Sequence, residues 1–309
     1  MKVGILALQG AFHEHERMLQ ASSSSYSDVG GLETFFVRTP QELYHEGELL
    51  DGMVFPGGES TAMGLIGQTN GIWEALRTYV KSNRPVWGTC AGMVLLSDRV
   101  IGSTATIVGG QALIGGMDVT VCRNYFGSQV SSFEMDTPPP PPSDNMPVVE
   151  NEDGTLKPFP GVFIRAPAMM QASKGLDVLG RVVATPCRQA AATLRELDER
   201  IASGVNVFKG SCVPVVDALE RDEAGGCIGV KKGSMIENDV KCAEEKKSED
   251  NSSISITLPG AAEDGAREVI CAVRSGSLLC TAFHPELTGD LRWHVYYLDM
   301  VRESILGKK

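Results

Sequence analysis

Two short blocks hold the side chains best suited to covalent chemistry: Gly88-Thr89-Cys90-Ala91-Gly92, and His284-Pro285-Glu286 near the other end of the chain. Cys90 follows the apolar run Pro85-Val86-Trp87 and precedes the helix-like run Met93-Val94-Leu95-Leu96. That order predicts a strand, a sharp turn and a helix, with a thiol at the turn. The GxSxG elbow of serine hydrolases uses the same geometry to raise its nucleophile above a sheet. Glycines flank the thiol because a side chain there would block the tight turn or the substrate. A helix start behind the sulfur favours thiolate, the reactive form. A thiol nucleophile also needs a base, and the base needs an orienting group. His284 and Glu286 offer both, since residues two apart in an extended segment point to the same face.

Other segments could complete a site, although each has an ordinary reading too. Pro56-Gly57-Gly58-Glu59-Ser60-Thr61 resembles a phosphate loop but lacks the lysine of GxxxxGK[ST]. It reads equally as a plain turn after a strand, or as an oxyanion hole whose glycines expose backbone N–H groups. Each such donor is worth ~3–4 kcal/mol to a tetrahedral intermediate. Arg123 and Arg165 each end a strand-like run; a planar guanidinium suits a carboxylate, but a surface ion pair is the commoner role. His13, His15, His45 and His294 lie in helix-like or loop sequence and are read as solvated surface. Cys122, Cys187, Cys271 and Cys280 lie in strand-like runs and are assigned to the core. Cys212, Cys227 and Cys242 are spaced too widely, and without histidines, for a zinc site, so no metal is expected.

The rest of the chain must position these groups. With 309 residues, 42% of them hydrophobic and 22% charged, it can bury a real core as one large domain or two ordinary ones. A net charge of −11 argues against nucleic acid or an anionic membrane as the main partner. No run approaches the ~18 apolar residues of a membrane span. Met1 to Leu8 reads as a buried strand rather than a signal peptide, for it lacks a small-residue cleavage site. Eight cysteines without CxxC or a dense framework indicate a reduced, cytoplasmic chain.

Strands are expected at Val3–Leu8, Glu33–Val37, Met53–Phe55, Pro85–Gly88, Gly115–Cys122, Val162–Pro167 and Leu176–Ala184. Helices are expected at Ala11–Leu19, Pro40–Leu50, Gly71–Lys81, Ala190–Ala202 and Asp290–Ile305. Ser22–Ser25 and Gly30-Gly31 bracket a flexible loop, and Asp136–Ser143 is a proline-rich loop. Glu268–Val273 and Ser277–Ala282 form a hairpin entering His284, while Glu244–Asn251 is polar and solvated. Alternation of strand and helix indicates an α/β fold, a mostly parallel sheet with helices on both faces. Sites in such sheets lie beyond the carboxyl ends of the strands, where the Pro56–Ser60 and Gly88–Gly92 loops both fall.

Taken in order, PGGEST, GTCAGM, CRNYFGSQVSSFE, GVFIRAP and FHPELT, with the opening KVGILALQGAFHEHERML, resemble the glutaminase subunits of pyridoxal 5′-phosphate synthase, which are class I triad-type glutamine amidotransferases. The elbow and HPE alone would indicate only the superfamily; GVFIRAP, RNxFGxQ and LALQG make the resemblance specific. It implies a three-layer, flavodoxin-like α/β fold forming one amidotransferase domain over residues 1–309. It also implies Cys90 as nucleophile, His284 as base and Glu286 as its orienting acid. Glutamine would be held by Gly58, Glu59 and Ser60, by Arg123, and by Ile164 and Arg165. The oxyanion donors would be the Gly58 and Ala91 N–H groups, and Gln9 would lie in the block facing the synthase partner and linked to activation. Glutamine would be hydrolysed to glutamate, with ammonia passing to a barrel-shaped synthase subunit for vitamin B6 synthesis, and no cofactor would be needed.

Three stretches exceed the compact family pattern, about 20–31, 138–157 and 189–267. The last precedes the strand leading to His284 and therefore bears on how the base is placed. Two other readings stand beside the active glutaminase: a non-catalytic partner of the synthase, and another glutamine amidotransferase or γ-glutamyl hydrolase. The intact Cys90, His284 and Glu286 argue against the first, and the RNYFGSQ and VFIRAP blocks against the second.

Overall fold

The computed structural model describes residues 1–101, 113–127, 132–203, 220–221, 227–229 and 258–307. Its framework is a mixed sheet, ten-stranded among these residues. Strands β1 (Lys2–Leu6), β2 (Glu33–Val37), β3 (Gly52–Phe55) and β4 (Val86–Thr89) run parallel in the order β2-β1-β3-β4. Every residue of β3 and β4 is buried. Such unbroken burial means that both faces are covered, as parallel sheets require. Helices α1 (Phe12–Ala21), α2 (Ser60–Thr69), α3 (Ile72–Val80) and α4 (Ala91–Leu96) connect these strands or follow them.

The second half of the sheet contains β5 (Ser97–Ile101) and β6 (Met117–Cys122), then, beyond the separate two-stranded pair β7 (Phe133–Thr137) and β8 (Phe159–Phe163), β9 (Ala168–Ala172) and β10 (Asp177–Ala184). Helix α5 (Arg188–Ala202) precedes the closing strands β11 (Arg267–Ser275) and β12 (Leu278–Thr281), and α6 (Arg292–Leu306) ends the described chain. The order continues from β4 as β12-β11-β9-β6-β5, with β10 also paired to β11. β11 and β12 form the expected antiparallel hairpin, turning at Gly276, and β12 then lies parallel to β4.

Several sequence expectations change. Pro40–Leu50 is not a helix: one 3-10 turn, Pro40–Leu43, gives way to a ribbon of Tyr44–His45 with Glu48–Leu49. The Thr39/Glu42 capping box does start a helical turn, but Glu46 and Gly47 adopt positive φ and reverse the chain. Residues 22–31 do not form a loose loop, for two short 3-10 turns flank a fully buried Tyr26. The strand expected at Val162–Pro167 is β8, which ends before Ile164. Cys187 is not in a core strand but half-buried at the N-cap of α5. Cys122, Cys271 and Cys280 are buried, as expected.

The largest excess segment leaves the sheet and returns at adjoining strand ends. β10 and β11 pair from Asp177↔Arg274 to Ala184↔Arg267, so residues 185–266 begin and end side by side. The buried Arg267 guanidinium clasps Asp198 of α5 at 2.6 Å and also reaches the Pro259 carbonyl. A loop whose ends are pinned in this way adds little closure cost as it lengthens. The polar run Glu244–Asn251, Cys212 and Cys242 fall outside the described residues, as does the side chain of Cys227.

Candidate active site

The sheet register brings the two ends of the sequence together. β12 and β4 pair with Thr281 opposite Thr89, and the Cys90 N–H donates to the Thr281 carbonyl at 2.9 Å. Three residues on, His284 therefore emerges at the same carboxyl edge as the thiol. Cys90 itself has φ 47° and ψ −103°, a conformation L-residues seldom adopt. Backbone strain of this kind survives where the surroundings impose it. Here they do: a Cβ on Gly92 would lie 1.9 Å from the Phe55 carbonyl oxygen, and one on Gly88 would lie 2.7 Å from Gly92. The bracketing glycines thus let the elbow seat directly on β3; backbone contact, rather than substrate clearance, is what the structure gives as their reason.

His284 is buried and its Nδ1 lies 2.7 Å from Glu286 Oε1. The Cys90 side chain lies beside the same imidazole, both of them bordering the space that a Cβ on Gly57 would fill. Burial opposes a charge on His284, but the neighbouring Cys90 and Glu286 outweigh it and hold its pKa well above that of ordinary imidazole. Burial likewise opposes the Glu286 carboxylate, yet His15 and His284 keep its pKa below the usual value. The ring also fits only because residue 57 is glycine, since a Cβ there would sit 2.3 Å from His284 Cε1.

A cavity of about 420 Å³ opens over the sulfur, lined by Gly58, Glu59, Ser60, Thr61, Cys90, Ala91, Val94, Arg123, Asn124, Arg165 and Pro167. Of the residues expected to hold substrate, Gly58, Glu59, Ser60, Arg123 and Arg165 are on this wall, and Ala91 lies beside the thiol at the start of α4. Ile164 is adjacent through its carbonyl, 4.0 Å from Cys90 Sγ, and Arg165 turns the chain there with φ 49°. Arg123 Nη2 reaches Thr61 Oγ1 at 3.2 Å and Glu59 Oε1 at 3.5 Å. Its Nη1 is buried without a hydrogen-bond partner among the described residues. Burial, only partly offset by Glu59, lowers the Arg123 pKa. The Glu59 carboxylate caps α2, accepting from the Thr61 and Ala62 N–H groups at 3.2 and 2.8 Å.

Gln9 is tied to this wall, with its Oε1 accepting from the Glu59 N–H at 2.6 Å. The Gly57 carbonyl accepts from the Ala11 N–H at 2.9 Å. In a planar trans peptide the Gly58 N–H then points the opposite way, away from the first loop.

Two histidines contradict the surface reading. His15 and His294 are completely buried, with His15 Nδ1 3.1 Å from His294 Nε2. His15 Nε2 lies 3.0 Å from Thr89 Oγ1 and 3.3 Å from Glu286 Oε2. The signal in the sequence is the i,i+4 spacing of His15 and Leu19, the two buried residues of α1. His13 is exposed and His45 partly so. Among the described residues no group of three or more His, Cys, Asp or Glu side chains could hold a metal ion.

A strained thiol at a strand–helix elbow, a carboxylate-held histidine and a glycine-rich wall on an α/β sheet define the glutamine amidotransferase class. The crystal structure of a glutamine amidotransferase superposes with a TM-score of 0.54 and 26% identity, covering 97% of this chain and 98% of that one. More narrowly, the model of the SNO glutamine amidotransferase family matches residues 5–185, and the chain belongs to that family. That match contains Cys90, Arg123 and Arg165 but stops short of His284. Whole-chain relatives extend past it. The probable pyridoxal 5′-phosphate synthase subunit PDX2 of Arabidopsis thaliana is 34% identical over 99% of this chain and 88% of its own length. The pyridoxal 5′-phosphate synthase subunit PdxT of Kineococcus radiotolerans is 32% identical over 99% of this chain and 97% of its own. PdxT of Pelotomaculum thermopropionicum reaches 42% over 59% of this chain and 77% of its own.

Proposed function

We propose that this chain hydrolyses L-glutamine to L-glutamate and ammonia as the glutaminase subunit of a pyridoxal 5′-phosphate synthase, feeding ammonia to a barrel-shaped synthase subunit for vitamin B6 synthesis in the cytoplasm. Family membership and the whole-chain relatives support the subunit. The observation that carries the chemistry is the placement of His284 between Cys90, which it adjoins, and Glu286, 2.7 Å from its Nδ1. Residues 1–309 are read as one amidotransferase domain carrying three insertions. Among the described residues, no helix is long and apolar enough to cross a membrane.

In this mechanism the Cys90 thiolate attacks the side-chain amide carbon of glutamine. The developing oxyanion lies between the Gly58 and Ala91 N–H groups; the outward direction of the first and the open helix start of the second support that role. His284, protonated beside the thiolate, gives its proton to the departing nitrogen, and ammonia leaves a γ-glutamyl thioester. His284 then takes a proton from water as it attacks the thioester carbon, releasing glutamate and the thiolate. Glu286 keeps the imidazole oriented and stabilises its positive charge. The substrate α-carboxylate meets Arg123, whose Nη1 has no other partner among the described residues. Gly58, Glu59 and Ser60 with Ile164 and Arg165 complete the cradle, and Gln9 relays partner docking to the Gly58–Glu59 wall.

The test is glutamate release by wild type and Cys90→Ala, each with and without the cognate synthase subunit. Release that is weak alone, rises with the partner and disappears in Cys90→Ala is the expected result. Substantial release by Cys90→Ala would sink the mechanism. No release by wild type with its partner would point instead to a non-catalytic docking protein.

A further inference from the structure

Glu286 offers its base only one oxygen. Oε1 meets His284, whereas Oε2 is buried and lacks a well-aligned hydrogen bond among the described residues. The polar atom opposite it is His15 Nε2, at 3.3 Å. Behind His15 stands His294, and both rings pack edge-on against Trp87, the strand residue two before Thr89. None of the three triad side chains lies on α1 or α6, so these two histidines are a separate contribution from those helices.

Giving the Glu286 carboxylate a donor, and leaving no buried N–H without an acceptor, selects one arrangement. An ionised carboxylate only accepts, so His15 Nε2 must carry a hydrogen towards Glu286, shared with Thr89 Oγ1. A neutral His15 then accepts at Nδ1, and His294 Nε2 must donate to it. That leaves His294 Nδ1 as a bare lone pair, matching the absence of a partner for it among the described residues. A doubly protonated His15 would force a buried N–H onto that same partnerless nitrogen, a costlier outcome. Burial lowers the pKa of both rings, in keeping with two neutral imidazoles.

We infer that His15 is a positioning residue for glutamine hydrolysis, holding the second carboxylate oxygen of Glu286 through its Nε2–H, and that His294 selects the tautomer able to do so. The inference rests on the proposed Cys90–His284–Glu286 chemistry. Without His15 a fully buried carboxylate could turn about its Cγ–Cδ bond and misdirect His284 while leaving the glutamine cradle intact. The effect therefore belongs in kcat rather than KM.

The experiment measures glutamate release with the synthase subunit present, for wild type, Cys90→Ala, His15→Leu, His15→Gln and His294→Leu. His15→Leu is expected to lower kcat about tenfold to a hundredfold, the range for losing a hydrogen bond to a charged group, with KM within about twofold. His15→Gln, whose amide restores a donor, should recover most of the loss. His294→Leu should act in the same direction, more weakly. Nitrogen-15 spectra of the wild-type imidazoles should show both rings protonated at Nε2. Wild-type kcat in His15→Leu, a loss confined to KM, or a His15 ring protonated at Nδ1 would each overturn the inference. If His15→Leu fails to fold, His294→Leu and the wild-type spectrum decide. Wild-type release no greater than that of Cys90→Ala would refute the glutaminase reading itself, and the spectrum would still report on the histidine pair.

Discussion

The Thr281 carbonyl accepts the Cys90 N–H at 2.9 Å, so the strand that leads into His284 is hydrogen bonded to the residue that carries the thiol. Cys90 and His284 are 194 residues apart in sequence (284 − 90), yet one parallel register, Thr89 opposite Thr281, sets their spacing. The long segment between β10 and β11 does not interrupt that register, because the ladder from Ala184↔Arg267 onward closes it off from the hairpin.

Gly92→Ala tests the seating of the elbow. Its new methyl would fall 1.9 Å from the Phe55 oxygen, which belongs to the backbone of a fully buried strand and cannot swing away. We expect a loss of about 2–3 kcal/mol in urea unfolding, typical of overpacking, together with loss of glutaminase activity. Unchanged stability would mean that the elbow does not rest on β3.

Part of this arrangement is legible in the sequence and part is not. The elbow shows because a cysteine between glycines, after an apolar run and before a helical one, fits few roles besides a nucleophile at a turn. Helix α2 does not show: Gly64 and Gly67 weaken its pattern, and its start depends on the Glu59 side chain folding back onto Thr61 and Ala62. Gly67 is there because the Trp73 ring, 2.1 Å from where its Cβ would be, occupies the space. β9 is equally hidden, since Ala168–Ala172 is too short and mixed to stand out before its pairing with β6 is known. His15 and His294 read as surface because a polar side chain carries no sign of the partners that will bury it; His15 meets β4, the HPE turn and His294, and His294 meets His15 and Trp87, contacts that only the fold brings together.

Arg123 should matter for binding more than for turnover. Its Nη2 is already engaged by Thr61 and Glu59, and the buried Nη1 is left for the ligand. Arg123→Ala is expected to raise KM for glutamine roughly tenfold to a hundredfold, with a smaller change in kcat, as for loss of a charge-assisted hydrogen bond. Arg123→Lys should recover only part, because an ammonium lacks the planar fork. Steady-state kinetics with the synthase subunit check both; a defect limited to kcat would remove Arg123 from the carboxylate site.

The His284–Glu286 pair gives stability a pH signature. The folded pKa of His284 is raised above its ordinary 6.5, so its contribution is complete below pH 6.5 and is lost as pH rises through the raised value. Glu286 is shifted down from 4.5, so its contribution is complete above pH 4.5 and is lost as pH falls through the lowered value. The stability difference between wild type and His284→Gln should therefore be largest near pH ~5.5 and shrink towards pH ~9. Urea titrations at the two pH values measure it. A difference that grows with pH would contradict an imidazolium held by its neighbours.

Asp299 on α6 joins two of the extra segments to the fold. Its Oδ1 accepts from Tyr26 Oη at 3.0 Å and Asn145 Nδ2 at 2.6 Å; its Oδ2 accepts from Ser143 Oγ at 2.5 Å and the Asn145 N–H at 3.2 Å. One turn further on, Arg302 pairs with Asp28 and Asp144, one from each segment. These outer pairs are partly solvated and contribute little, whereas the carboxylate of Asp299 is almost wholly buried. Asp299→Ala removes the acceptor of Ser143 Oγ and of both Asn145 donors and leaves the Tyr26 hydroxyl only the Val295 carbonyl at 3.2 Å, so a loss of about 2 kcal/mol is expected, as for losing hydrogen bonds to a charged group. Asp299→Asn keeps the shape but turns one acceptor into a donor facing other donors, and should cost nearly as much. Both variants should become sensitive to protease within residues 138–157, while glutaminase activity at low temperature stays close to wild type, since the Asp299 contacts touch none of the cavity-lining residues. Equal protease resistance in wild type and Asp299→Ala would show that the second segment is held by its Arg292 contacts to the Lys157 and Pro158 carbonyls instead.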